Sequence, residues 1–176
     1  MAESLAGRTA NLFGALALEA ARAQERATHK IVGQSGAAAA ALVVIAAAPG
    51  RTLEQLRAPL GLTQPGATRL VERLVNAGWL ERRGPGGRRG LQLHLTAAGR
   101  QVFDELLAAR RAALTQLLQP LSQPQQAQLA ELLETLLAAR VHDRADLERV
   151  CRLCERGVCQ RCPVGQALDV ILAAPP

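Results

Sequence analysis

Apolar residues recur at helical spacing along most of the chain, and glycines, prolines and capping residues break the pattern into segments. Residues 4–30 place Leu5, Leu12, Phe13, Leu16 and later alanines on one stripe, which predicts a helix broken at the Gly33–Gly36 region. Leu42, Val43, Val44 and Ile45 then predict a short buried helix, stopped by Pro49-Gly50. Thr52 with Gln55 three positions on reads as a capping box, opening a helix that Gly61 ends. Thr63 caps the next helix, with Pro65 tolerated in its first turn and Gly78 as its stop. Along that helix Leu70, Val71, Leu74 and Val75 form the inward face, and Thr68, Arg69, Glu72 and Arg73 fall mostly outside it.

After Gly78 the period changes. Trp79 to Arg83 leads into the loop GPGGRRG, and Leu91-Gln92-Leu93-His94-Leu95 alternates strictly, the mark of a half-buried strand. A β-hairpin with a Gly- and Arg-rich tip is predicted, the single strand pair of the chain. Thr96 then caps a long helix striped by Val102, Phe103, Leu106, Leu107, Leu114, Leu117 and Leu118 and ended by Pro120. Ser122 with Gln125 opens the last one, striped by Leu129, Leu132, Leu133, Leu136, Leu137 and Val141. Its one-sided apolar face is more than a small core covers, so a partner subunit is the expected cover.

Composition agrees with a mainly α protein. Of the 176 residues 49% are hydrophobic and only 2% aromatic, so the core is built from Leu, Val and Ala, a bias towards helices. The longest apolar run, residues 37–48, is about twelve residues, short of the ~20 needed to cross a bilayer. The N-terminus carries Glu3 and no charged segment followed by an apolar stretch, so a soluble, cytoplasmic protein without a membrane partner is expected. Cysteines in that compartment are reduced, which favours metal or redox chemistry over a disulfide framework.

Net charge is +6. An ordinary basic surface gives the same number, so the placement of the arginines decides what it means. Two short helices across a tight turn, followed by a hairpin, is the order of a winged helix-turn-helix. Its second helix enters the major groove of DNA, and the hairpin lies along the backbone or in the minor groove. Thr63, Gln64, Thr68, Arg69 and Arg73 supply polar and cationic groups on the outer face of that helix. Gln pairs bidentately with adenine, and Arg with guanine or phosphate. Arg82, Arg83, Arg88 and Arg89 concentrate charge on the hairpin.

The segment GLTQPGATRLVERLVNAGWLERR, followed by RRGLQLHLTAAGR, resembles the core of a MarR-type transcriptional regulator. Thr63, Gln64, Thr68, Arg69, Leu74 and Gly78 match that family's recognition-helix run, and Arg88, Arg89, Leu93, Leu95, Thr96 and Gly99 match its wing. The resemblance extends over roughly residues 5–145. It implies a homodimer whose N-terminal helix and last long helices form the interface, and two recognition helices reading a pseudo-palindromic operator in double-stranded DNA. It also implies that Arg89 enters the minor groove, and that a small-molecule effector acts on the dimer; a redox effector is instead suggested by the cysteines considered below. Two departures stand out: Gly87 replaces the usual wing Asp, and Pro59 is expected to interrupt the helix before the turn.

Catalysis is not expected. No Ser/His/Asp-like arrangement or phosphate-cradling loop is present, and His29, His94 and His142 are scattered. The remaining chemistry is concentrated in CRLCERGVCQRCP, where Cys151, Cys154, Cys159 and Cys162 are all the cysteines of the chain. Two C-x2-C pairs supply the four thiolates of a closed zinc site, although the gap between the pairs is tighter than usual. An iron–sulfur cluster of two or four irons competes, because Cys154, Cys159 and Cys162 have plant-ferredoxin spacing and Pro163 follows the last. A bare thiol switch is the third reading. Arg152, Arg156 and Arg161 would offset thiolate charge in each case.

The resulting expectation is a winged helix-turn-helix repressor, mainly α with a small β-hairpin wing. Residues 1–36 form an N-terminal dimerisation helix, 37–100 the DNA-binding domain, 101–150 the C-terminal dimerisation helices and 151–176 a metal-binding tail. The alternative is a helical metal or redox carrier acting through protein partners.

Overall fold

The computed structural model describes residues 4–33, 36–84, 91–159 and 162–173. Eight helices and one two-stranded sheet are seen among them: α1 Leu5–Val32, α2 Gly36–Ala47, α3 Leu53–Leu60, α4 Gln64–Asn76, β1 Leu80–Arg83, β2 Gln92–Leu95, α5 Ala97–Leu118, α6 Gln123–Ala138, α7 Arg144–Val150 and α8 Pro163–Ala173. No single described helix is long and apolar enough to cross a membrane.

The core is organised around α2. Every residue from Ala38 to Ile45 is buried, as expected of a helix that is apolar all round. Leu56 of α3, Leu70 and Leu74 of α4, Leu80 of β1, Leu93 of β2 and Leu106 of α5 close around it. Helix α1 lies along α5, and its C-terminal end joins this core through Val32. Its leading apolar residues remain exposed, with Leu12 57% and Phe13 56% accessible.

Local signals define most boundaries. Thr52 and Gln55 form the expected reciprocal cap of α3, and Gly61 closes it in the left-handed conformation at φ 63°. The Thr63 hydroxyl accepts the Gly66 N–H at 3.3 Å, and α4 carries Pro65 in its first turn. Gly78 takes φ 73° at the turn into the wing.

Two expectations need correction. Pro59 does not interrupt α3, which continues through it to Leu60. A proline removes the N–H that would bond the carbonyl four residues back; here that carbonyl, on Gln55, accepts from the Arg51 guanidinium at 3.3 Å. The stripe ending in Val141 does not belong to one helix. α6 ends at Ala138, and a new helix starts where Asp143 accepts the Asp146 N–H at 2.8 Å. Val141 turns into a second, smaller core with Cys151, Val164 and Leu168. Beyond Val141, α7 packs on α3 and α8 packs on α6.

Candidate nucleic-acid interface and cysteine cluster

Helix α4 is anchored by Ala67, Leu70, Val71 and Leu74, all at or below 1% exposure, and its rotation about its axis is therefore set by the core. With 3.6 residues per turn, that leaves Gln64, Arg69, Glu72 and Arg73 outside. Gln64, Arg69 and Arg73 are exposed, as predicted. Two of the predicted contacts are partly committed to the helix itself. Thr63 is the cap, and the Thr68 hydroxyl donates to the Gln64 carbonyl at 3.0 Å.

The wing pairs antiparallel, with Leu80 opposite Leu95 and Arg82 opposite Leu93. Leu80 and Leu93 face the core, so the alternating pattern is observed as read. Adjacent strand residues point to opposite faces, and this separates the two arginines of β1. Arg83 bonds Glu81 on its own face at 2.9 Å. Arg82 instead borders a groove with Gln64, Thr68 and Glu72, between α4 and the wing. The groove is thus lined by α3, α4 and both strands, with the Glu54 and Glu72 carboxylates among its polar groups. Arg88, Arg89 and Gly87 lie outside the described residues.

Sequence reasoning missed Arg51. Its backbone forms an isolated bridge with Leu93, accepting the Leu93 N–H at 2.8 Å, so the wing has a third partner. Its guanidinium meets the Glu148 carboxylate in a two-pronged ion pair, 2.7 and 3.2 Å, with both side chains largely buried at 17% and 22% exposure. The Arg51 hydrogen bonds hold the Glu148 carboxyl below its usual range. Nothing in the local pattern announces a pair 97 residues apart.

Cys151 caps the C-terminus of α7 and is buried; Cys154 and Cys162 are half-buried, and Cys159 is exposed. The Cys151 thiol donates to the Cys154 sulfur. This bond, with Arg110 and Arg156 nearby, lowers Cys154 to about 6, and the same bond together with burial pushes Cys151 up. Partial burial raises Cys159, helped by the charges of Cys154 and Cys162, so the four thiols form one electrostatic neighbourhood. Arg156 adds to the lowering of Cys154. Arg152 turns instead to the Arg149 carbonyl at 2.9 Å, and Arg161 lies outside the described residues. Arg110, from α5, takes a role the sequence did not announce.

The donor set, four sulfurs in two C-x2-C pairs, suits a tetrahedral soft-metal centre. Among the described residues, however, no three candidate ligands stand close enough together to hold a metal ion.

Residues 33–90 match the model of the MarR family. Over 85 residues the chain is 35% identical to the transcriptional repressor MprA of Escherichia coli strain K12, covering 48% of each chain. The chain therefore spans about half the length of the curated relatives it matches. The crystal structure of RV1404 from Mycobacterium tuberculosis superposes with a TM-score of 0.64 at 23% identity, over 79% of this chain and 95% of that one. The apo form of wild-type MarR from E. coli gives 0.58 at 25% identity, over 70% and 96%. Both likenesses stop short of the full chain. Residues 33–90 are thus similar to the MarR family, and the described chain shares its fold with the solved MarR of E. coli and with RV1404.

Proposed function

We propose that the chain is a DNA-binding transcriptional repressor that acts as a homodimer on a pseudo-palindromic duplex. MarR-family transcription regulators are non-enzymatic DNA-binding proteins, and the relative MprA is named a transcriptional repressor. One observation carries the reading. Within the family segment, the apolar face of α4 is locked in the core while Gln64, Arg69 and Arg73 face outward beside the groove that Arg82 borders. Arg69 reads bases, and Arg89, by its match to the wing arginine, enters the minor groove.

Duplex binding tests this directly. Affinity is expected to fall by a factor on the order of 10³ between about 50 and 200 mM salt, because each neutralised phosphate releases counterions. Arg69→Ala is expected to cost about 1–3 kcal/mol on the preferred sequence and little elsewhere. Arg89→Ala weakens all duplexes alike. Equal losses on every sequence for both variants would remove Arg69 from base readout. Salt-independent or absent binding would transfer the chain to the alternative, a carrier working through protein partners.

The four cysteines, in this reading, form a zinc site that stabilises or modulates the dimer. The C-x2-C pairs, the lowered Cys154 thiol and the nearby Arg110 and Arg156 support it. Metal analysis and an absorption spectrum of anaerobically purified protein check it, with stoichiometric zinc and no visible band expected. A brown protein would replace zinc by an iron–sulfur cluster, and a metal-free one would leave the bare thiol switch.

A further inference from the structure

Arg51 sits where the wing, α3 and α7 meet. Its backbone serves the wing: the Leu93 N–H donates to the Arg51 carbonyl at 2.8 Å, and the Gly50 N–H donates to the Leu93 carbonyl at 3.0 Å. Residues 50–51 thus pair with β2 along the edge that β1 leaves open. Its side chain serves α3. Pro59 has no N–H to offer the Gln55 carbonyl, and the Arg51 guanidinium donates to that carbonyl at 3.3 Å. Gln55 is also half of the reciprocal cap that starts α3, so Arg51 grips this helix at its first turn.

The guanidinium is held from outside residues 33–90, the segment similar to the MarR family. Glu148 of α7 accepts two hydrogen bonds from it, at 2.7 and 3.2 Å. Among the described residues this is the one carboxylate that pairs with Arg51, whose Nε is buried without a partner. The direction of Glu148 is set by packing. Leu147 and Val150 lie against the second core, and helix geometry turns Glu148 to another side, where α7 meets α3.

We infer that Glu148 is a positioning residue of the winged helix: by holding Arg51 it fixes the wing against α3, and so sets duplex affinity without touching DNA. The effect on affinity rests on the DNA-binding reading above, whereas the placement of the wing does not. A largely buried guanidinium that loses its carboxylate is drawn towards water. It then gives up the Gln55 carbonyl and loosens the pairing of residues 50–51 with β2. Helix α4 keeps its place, because Ala67, Leu70, Val71 and Leu74 anchor it in the core independently of Arg51. Base readout is therefore spared, and the loss falls alike on every sequence.

The test is a double-mutant cycle on the full chain. Glu148→Gln keeps the size of the side chain and removes its charge, and Arg51→Met removes the group it holds. Duplex affinity is measured for the wild type, both single variants and the double variant, at a temperature where each is folded. Glu148→Gln is expected to weaken binding about fivefold or more, equally on preferred and unrelated duplexes. In the Arg51→Met background it should change affinity by less than about twofold. Effects that multiply would mean that Glu148 does not act through Arg51, and overturn the inference. Unchanged or tighter binding by Glu148→Gln overturns it as well.

Hydrogen exchange at the Gly50 and Leu93 amides gives a second readout that needs no DNA. Glu148→Gln should speed exchange there about tenfold and leave the amides of α1 unchanged. Equal acceleration at both places would be a general loosening and would overturn the inference. Should Glu148→Gln fail to fold, Glu148→Asp keeps the charge but shortens the reach to Arg51. It is expected to produce the same two changes to a smaller extent, and its having no effect overturns the inference. If no form binds a duplex, the DNA-binding reading fails while exchange still decides whether Glu148 positions the wing.

Discussion

Gly99→Ala is expected to destabilise the protein by about 3 kcal/mol, read as a lowered urea midpoint. A Cβ at this position overlaps the Trp79 carbonyl oxygen and comes within 2.8 Å of the Trp79 carbonyl carbon. The obstruction is backbone, held by two hydrogen bonds that lock the start of α5 onto the turn before β1. Thr96 N–H donates to the Trp79 carbonyl at 3.1 Å, and the Thr96 hydroxyl donates to the Gly78 carbonyl at 2.6 Å. That hydroxyl also accepts the Gly99 N–H at 2.9 Å. Relief requires α5 to move away from the wing, so duplex affinity should fall together with stability. An unchanged midpoint would mean that α5 does not sit this close to Trp79.

The second large effect concerns assembly. Leu5, Leu12, Phe13 and Leu16 on α1, and Leu132, Leu133 and Leu136 on α6, are exposed apolar residues, each between 40% and 81% accessible. Helices with such faces need a cover, and a second copy supplies the same faces in return. Sedimentation should give twice the 18.6 kDa chain mass for the wild type. Phe13→Glu combined with Leu136→Glu should give the monomer mass, because an isologous interface places each charge in apolar surroundings twice. Duplex affinity should then fall about a hundredfold or more, since a monomer engages one half-site and loses the gain of linked binding. A wild type that sediments as a monomer, or a charged variant that remains dimeric, would place the interface elsewhere.

Much of the winged-helix region was legible because its signals are local. Thr52, Thr63, Thr96, Gly61 and Gly78 bound their helices by geometry within a few residues. The alternation at residues 91–95 reports a strand with one buried face, and Leu93 is indeed buried. The inward set of α4 also follows from its 3.6-residue repeat. Once Leu70 and Leu74 are committed to the core, the placement of Arg69 and Arg73 is a consequence of helix geometry.

The tail was the least legible part. A stripe through Val141 reads as one helix on paper, yet a turn at 139–140 sends Val141 into a different core. The charge environment of the thiols depends on Arg110 and Arg156, which are 44 and two residues from Cys154 along the chain. Only the nearer of the two could be anticipated. Arg82 and Arg83 look equivalent in sequence, but strand pleating aims one along α4 and leaves the other bonded to Glu81.

By itself, then, the sequence determined the order and limits of the helices up to α5, the wing, the outward face of α4 and the presence of a four-thiol donor set. Capping, periodicity and residue chemistry act within a few residues, so they can be read along the chain. Tertiary structure alone decided that Arg51 joins the wing to the tail and that α7 rests on α3. It also decided that the thiols lie beside a helix running on from the wing. These are pairings between distant segments, selected by which buried charges find partners and which apolar faces find cover once the whole chain has folded.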